Sequence, residues 1–422
     1  MKRLLSGICS ILITLSIFSG CSGNGAKSSQ SGSSAKTTIT LMQSKTEIQS
    51  DMQKVVDGYN ASQQNTTVKL LGTSGDNYTT VLQSQFSAKP EKAPTIFTAS
   101  GLRASSFEPY MASLDDTKSA KLIMKSFQNE VTVNGKISGI PMAVEGYGLI
   151  YNKDLFKKAG VDASSIKSVD GLVDACKKLQ KVNGVTHAIA MAKENYFAFI
   201  HPFNWGLAVS NDYSNQIKQL ERGKISFSNI PTVSQFMKDL DKILPYTNQA
   251  LDSYDDQISG FAGGKYAMIH QGDWAQSMLD QDKISFDYGM IAFPTGGNTK
   301  LSVDISDAWR VNKYATADQQ KAAKDFLDWL LTSDKGQTYC ADTFQFISSL
   351  KGMKSSSSKL GEIVSNAVQS SNTVPWVFNT SSFPNGIDVD GASLMQKYYA
   401  KVINSDEFMD QLTQTWRNDA TK

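Results

Sequence analysis

The sequence is poor in cysteine, histidine and net charge, and each shortage removes a class of function. Of four cysteines, Cys9 and Cys21 lie at the N-terminus, leaving Cys176 and Cys340 for the rest of the 422-residue chain. Two cysteines exclude a disulfide scaffold, and a chain of this length buries a core that needs no staple. Cys176 shares an apolar helix face with Leu172, Val173 and Leu179, so two buried thiols are expected and not a bridge. The three histidines, His187, His201 and His270, show no metal spacing, and Asp252, Asp255 and Asp256 do not follow the pattern of a calcium loop. No metal or other cofactor is therefore expected. There is no Gly-x-Ser-x-Gly elbow, no phosphate-cradling loop and no internal repeat. Two of the 42 basic residues are Lys2 and Arg3, so the chain beyond residue 20 balances 40 basic against 40 acidic groups. That balance speaks against nucleic acid and against a charged membrane surface as partners.

What is present begins at the N-terminus. Lys2 and Arg3 precede an apolar run from Leu4 to Phe18, followed by Ser19-Gly20-Cys21. The run is shorter than the roughly 20 residues of a spanning helix and ends in small residues before a cysteine, as a lipoprotein signal does. Residues 1–20 read as the signal peptide and Cys21 as the lipidated first residue, although Phe18 stands where such signals usually carry Leu. Ser22 to Lys36 is nearly all Ser, Gly, Ala and Lys, the composition of a flexible tether. The expected location is the extracytoplasmic face of the cell membrane, held there by lipid alone.

From residue 37 onward, strand and helix patterns alternate. Ile39–Met42, Val68–Leu71 and Thr95–Thr98 read as strands. Between them, Met52, Val55, Val56 and Tyr59, then Tyr78, Val81, Leu82 and Phe86, recur at helical spacing. This order predicts a parallel sheet with helices on both faces. Ser168 is placed to cap the Cys176 helix, and Thr232 with Gln235 has the form of a capping box. Ala322, Ala323, Phe326, Leu327, Leu330 and Leu331 mark a late amphipathic helix. Two α/β domains account for the length.

Four stretches carry a family resemblance: Pro141 to Phe156, with Tyr-Asn-Lys-Asp-Leu-Phe at its end; Phe261-Ala-Gly-Gly-Lys-Tyr-Ala-Met268 through Gly272-Asp-Trp-Ala275; Tyr288 to Pro294; and Lys321 to Leu330. In this order and spacing the chain resembles the extracellular solute-binding proteins of carbohydrate ABC transporters, maltose-binding proteins among them. The resemblance runs from about Thr38 to Thr421. It implies a two-lobed, periplasmic-binding-protein-like α/β fold of type II, each lobe a sheet flanked by helices, joined by crossing hinge strands. The implied lobes are residues 37–146 plus 294–347 and residues 147–293 plus 348–422, with crossings near Glu145–Gly148, Ala292–Thr295 and Phe346–Leu350. The implied function is delivery of an oligosaccharide to the permease subunits of an importer, by a monomer without enzymatic activity.

The resemblance also proposes a site. Trp274 resembles a sugar-stacking Trp, Tyr196 in Glu194-Asn-Tyr-Phe-Ala-Phe199 a stacking Tyr, and Glu145 a hydroxyl-binding Glu, with Asp273 beside Trp274. Gln43, Ser44, Lys45 and Glu47 follow the first strand, where a parallel sheet opens its cleft. Ser100 and Arg103 follow the third, and Asp307, Trp309 and Arg310 precede the Phe326 helix. Phe203, Asn204 and Trp205 come after the Tyr196 motif. For every aromatic the competing reading is core packing, and for the polar residues a solvated loop. Thr98 and Gly101 stand where maltose-binding relatives carry Trp and Asp, and Gly391–Tyr399 contains no Trp. The sugar is thus left open among α-galactosides and xylan-, mannan- or starch-derived oligomers. Two other readings stay open: a protein of the same fold for a polyamine, peptide or iron complex, and a surface glycosidase.

Overall fold

A computed structural model describes residues 36–72, 75–380 and 383–420. The signal peptide, Cys21 and nearly all of the tether lie outside the described residues. The chain opens with β1 (Thr37–Met42), β2 (Thr66–Leu70) and β3 (Ile96–Thr98), alternating with helices Gln49–Ser62 and Tyr78–Ala88. β1 pairs in parallel with both neighbours, and the helices bury Met52, Val55, Val56 and Tyr59, and Tyr78, Leu82 and Phe86. A small hairpin of β4 (Thr132–Val133) and β5 (Lys136–Ile137) leads into β6 (Ile140–Pro141) and β7 (Val144–Asn152). Then follow β8 (His187–Ala190), β9 (Tyr266–Gly272), β10 (Tyr288–Ile291), β11 (Leu301–Ile305), β12 (Ala308–Val311) and β13 (Thr373–Val374).

These strands form two main sheets. The smaller runs β2-β1-β3-β12-β6, and the larger β13-β11-β7-β9-β8, with β10 also paired to β7. All but one of the nine residues of β7 are buried, so it shows no polar alternation, as befits a central strand covered on both faces. The chain passes from the smaller sheet to the larger through Met142 and Ala143, between β6 and β7. The second change of sheet falls at Ser306–Asp307 and not near Ala292–Thr295. β11 still hydrogen-bonds to β7, and Phe293 is held in the larger lobe by a stacked contact with Trp205 at 4.3 Å. A third passage lies at Phe346–Leu350. There Val144 N–H donates to Ile347 O, while Phe346 and Leu350 pack into the smaller lobe's core.

Local details follow their chemistry. Ser168 accepts from Gly171 N–H at the start of helix Val169–Leu179. Thr232 and Gln235 do not form a capping box: helix Pro231–Ile243 starts two residues earlier, with Ile230 at the N-cap, because Pro231 fits the first turn, where no N–H is needed, and Gln235 turns to Asp239. Both late cysteines are free thiols, Cys176 fully buried in the larger lobe and Cys340 half-buried against the smaller.

A carboxyl pair links the two lobes beside the second passage. Glu130 adjoins Val131, which packs in the smaller core, and Asp304 lies on β11. Burial first, then the Asp304 charge, raises the Glu130 carboxyl far above the ordinary carboxylate range, so it holds a proton at neutral pH. A raised folded pKa means the folded chain binds more protons than the unfolded one above about pH 4.3. Stability from this group is therefore full at low pH and falls as pH rises, by up to about 1.4 kcal/mol per unit. Glu130→Gln keeps a donor for Asp304 without the titration. Urea unfolding between pH 5 and 9 is expected to show the variant gaining on the parent as pH rises, and parallel profiles refute the assignment.

Candidate functional site

A cavity of about 900 Å³ opens between the two sheets and takes its lining from both lobes and from the passages between them. At the end of β1, the buried Gln43 holds a turn: its amide donates to Lys45 O and to Gln49 Oε1, and its own Oε1 accepts from Lys45 N–H. This turn aims Lys45 into the cavity, where Nζ lies 2.8 Å from Glu145 Oε1 and 3.1 Å from Glu47 Oε1. Burial alone would lower the Lys45 pKa, but the two carboxylates outweigh it and hold the ammonium charged. Glu145 sits one residue into β7, so this ion pair spans the first passage.

A second charged group forms around Asp307. Its Oδ2 accepts from Ser44 Oγ at 2.8 Å and lies 3.9 Å from Arg103 Nη2. The Arg103 guanidinium lies over the rings of Tyr196 and Tyr78 at 5.3 and 5.6 Å, an arrangement that stabilises a cation on two π-faces. Burial opposes the charge on Arg103, but Tyr196 and Asp307 outweigh it and raise its pKa.

The aromatic wall comes mainly from the larger lobe. A single π-helical turn, Tyr196–Ile200, brings Tyr196, Phe197 and the following His201 onto the cavity and buries Ala198, Phe199 and Ile200. Helix Ile387–Tyr399 approaches so closely that a side chain at Gly391 would lie 2.3 Å from the Phe199 ring. Trp274 follows β9 and folds back over Gly272, where a Cβ would lie 2.3 Å from its ring. Its indole N–H donates to Gln271, which donates to Gln257, which donates to Ala190 O. That chain of bonds fixes the ring plane, with Phe197 stacked at 6.0 Å and Lys45 Nζ at 5.8 Å. Trp376 completes the wall: its backbone N–H donates to Asp304, and Asn204 bonds to Pro375 O and Val377 N–H on either side. His201 stacks on Tyr147 at 4.3 Å and is kept neutral by burial, reinforced by His270 and Lys45.

Of the residues proposed from sequence, Lys45, Arg103, Glu145, Tyr196, Trp274 and Asp307 meet on this cavity, together with Ser44 and Glu47. The other proposed residues do not line it. Trp205 and Trp309 are 2% and 1% exposed and belong to the two cores, because Phe293 and the strands flanking β12 cover their rings. Gln43 and Asp273 stand behind the wall, Gln43 holding the Lys45 turn and Asp273 accepting from Gly146 N–H at 2.8 Å. Arg310 is also fully buried, donating to Ala99 O and Ser138 Oγ. Sequence reasoning missed Tyr254, Trp376 and Asp388, and gave no role to Glu194 or His201. Glu194 lay within a quoted motif; Trp376, after Pro375, carried no periodic signal.

Two α/β lobes, with the chain passing three times between them beside an aromatic cavity, define a two-lobed solute-binding scaffold. The chain belongs to the bacterial extracellular solute-binding proteins, whose family model matches residues 54–370. Membership places the folded chain outside the cytoplasm. An uncharacterised ABC transporter extracellular-binding protein of Pyrococcus horikoshii is 33% identical over 177 residues, 41% of this chain and 39% of that protein. The multiple sugar-binding protein of Streptococcus mutans is 24% identical over 75% of this chain and 76% of its own length. Among solved structures, a chitin oligosaccharide binding protein (21% identity) and RafE in complex with raffinose (17%) each superpose with a TM-score of 0.76, covering 92% of this chain and 100% of theirs. At these identities the structures establish the shared fold.

Proposed function

We propose that this protein captures an oligosaccharide in the cavity between its lobes and delivers it to the permease subunits of an ABC importer, without altering it. The observation that carries the reading is the convergence of Trp274, Trp376, Tyr196 and Phe197 with carboxylates in one cavity. The C–H faces of a sugar pack on rings, while its hydroxyls need fixed acceptors and donors. The relatives' sugar-binding names point the same way. Trp274, Tyr196 and Glu145 are the contacts we assign first, with Lys45, Arg103 and Asp307 around them. Hinge motion at Met142–Ala143, Ser306–Asp307 and Phe346–Leu350 would close the lobes on the ligand. Lipid at Cys21, a monomeric state and a role without catalysis complete the proposal.

Calorimetry with raffinose, stachyose, maltotriose, xylotriose and mannotriose tests it, and small-angle scattering of the protein with the best binder tests closure. Binding of one sugar with a reduced radius of gyration is expected. A second reading, a polyamine, draws support from the carboxylates in the cavity, and spermidine belongs in the same series. Binding of spermidine with no response to any sugar would replace the oligosaccharide by a cationic solute.

A further inference from the structure

The charges in the cavity carry information about the ligand beyond its being a sugar. Among the described residues, six lining side chains are carboxylates, Glu47, Glu145, Glu194, Asp255, Asp307 and Asp388, against two cations, Lys45 and Arg103. Both cations look at first like anion receptors, but each already faces a carboxylate of this chain. Lys45 Nζ contacts both oxygens of Glu145, at 2.8 and 3.0 Å, and one of Glu47, which uses the three donors of an ammonium. Arg103 lies 3.9 Å from Asp307 and over two phenol rings, and its Nε is buried without a hydrogen-bond partner. Asp388 adds a further carboxylate within its field.

Among the described residues, no ion pair engages Glu194 or Asp255. Glu194 Oε1 accepts from Tyr254 N–H at 3.0 Å, while its Oε2 is buried and makes no hydrogen bond. Tyr254 is 8% exposed and its hydroxyl, close to Glu47, Glu145 and Glu194, has no partner. The Trp376 indole N–H, on a residue 3% exposed, is likewise unpartnered. Burial pushes the carboxyls of Glu145 and Asp388 upward. Leaving those two aside, the lining still holds four carboxyl groups, Glu47, Glu194, Asp255 and Asp307, against the two cations. What the lining sets against a ligand is thus mainly carboxylate, a set that accepts from hydroxyls and repels a negative group.

We propose that the cavity selects uncharged oligosaccharides and rejects those that carry a carboxylate, with the surplus charge at Glu194 and Asp255 as the determinant. The proposal rests on the oligosaccharide reading and sharpens it to a ligand class. The probes are raffinose, maltotriose and mannotriose, each with its uronic acid counterpart and the matching uronamide. The uronamide has the shape of the uronate without its charge.

For any sugar that binds, the uronamide is expected within about tenfold of the parent and the uronate at least about 50-fold weaker at low salt, the gap narrowing as salt screens it. Glu194→Gln, which keeps the acceptor for Tyr254 N–H, and Asp255→Asn are expected to narrow the same gap between uronamide and uronate. A uronate within about fivefold of its uronamide overturns the proposal, as does a ratio moved by neither substitution. If uronamide and uronate fail alike, shape and not charge decides, and the proposal falls while the oligosaccharide reading stands. If no probe of any charge binds, the oligosaccharide reading itself falls, and this proposal with it.

Discussion

Trp274→Ala and Tyr196→Ala should each weaken sugar binding by about 1–3 kcal/mol, roughly five- to 150-fold, while the ligand-free protein melts close to the parent. Both rings are only partly buried and line the cavity, so truncation removes contact area offered to a ligand more than area offered to the core. Trp274 is also held in orientation by the bond from its indole N–H through Gln271 and Gln257, so its binding face is prepared before a ligand arrives. Trp205→Ala and Trp309→Ala are the matched contrast. Their rings are almost fully covered, and their loss is expected to cost on the order of 3–5 kcal/mol of stability. Calorimetric titration and thermal unfolding of the four variants separate the two outcomes. If the Trp274 and Tyr196 variants melt as low as the core variants yet bind sugar normally once folded, the two rings belong to the core and the site assignment is wrong.

That contrast also shows where sequence reasoning reached and where it stopped. Periodicity located β1, β2 and β3 and their helices because one face of each element is buried, and burial writes a period of two or 3.6 into the sequence. Strand order also pointed to Lys45 and Arg103, which line the cavity, since loops at the ends of parallel strands open on the cleft. Neither could separate Trp274 from Trp205 or Trp309 by residue type, because a buried indole and a stacking indole have the same composition. Only the motif around Gly272 favoured Trp274. Trp376 was invisible for a different reason. It reaches the cavity through bonds from Asp304 and Asn204, residues 72 and 172 positions away, and no local pattern encodes such contacts. The change of sheet at Ser306–Asp307 was hidden because β11 and β12 are separated by only two residues, too few to carry a loop signal.

The Lys45–Glu145 pair yields the other large effect. Lys45→Met should destabilise the protein by about 3–5 kcal/mol near neutral pH, because it leaves the carboxylate of Glu145 buried without its partner. The side chains are 12% and 4% exposed, so water replaces little of what the ammonium supplies. The surroundings make the loss worse. Asp273 lies close enough to feel the Glu145 charge, and Glu47 and Asp307 are also near. With Lys45 gone, burial and these neighbours act on Glu145 unopposed and raise its folded pKa further above the unfolded value. A raised folded pKa gives stability that is present at low pH and lost as pH rises, so the deficit of the variant should be smaller at pH 5 than at pH 8. Adding Glu145→Gln to Lys45→Met removes the stranded charge and should recover most of the loss and its pH dependence. Urea unfolding of the single and double variants at both pH values is the measurement. A deficit below about 1 kcal/mol, or one equal at pH 5 and pH 8, would mean that the pair is solvated and does not hold the first passage between the lobes.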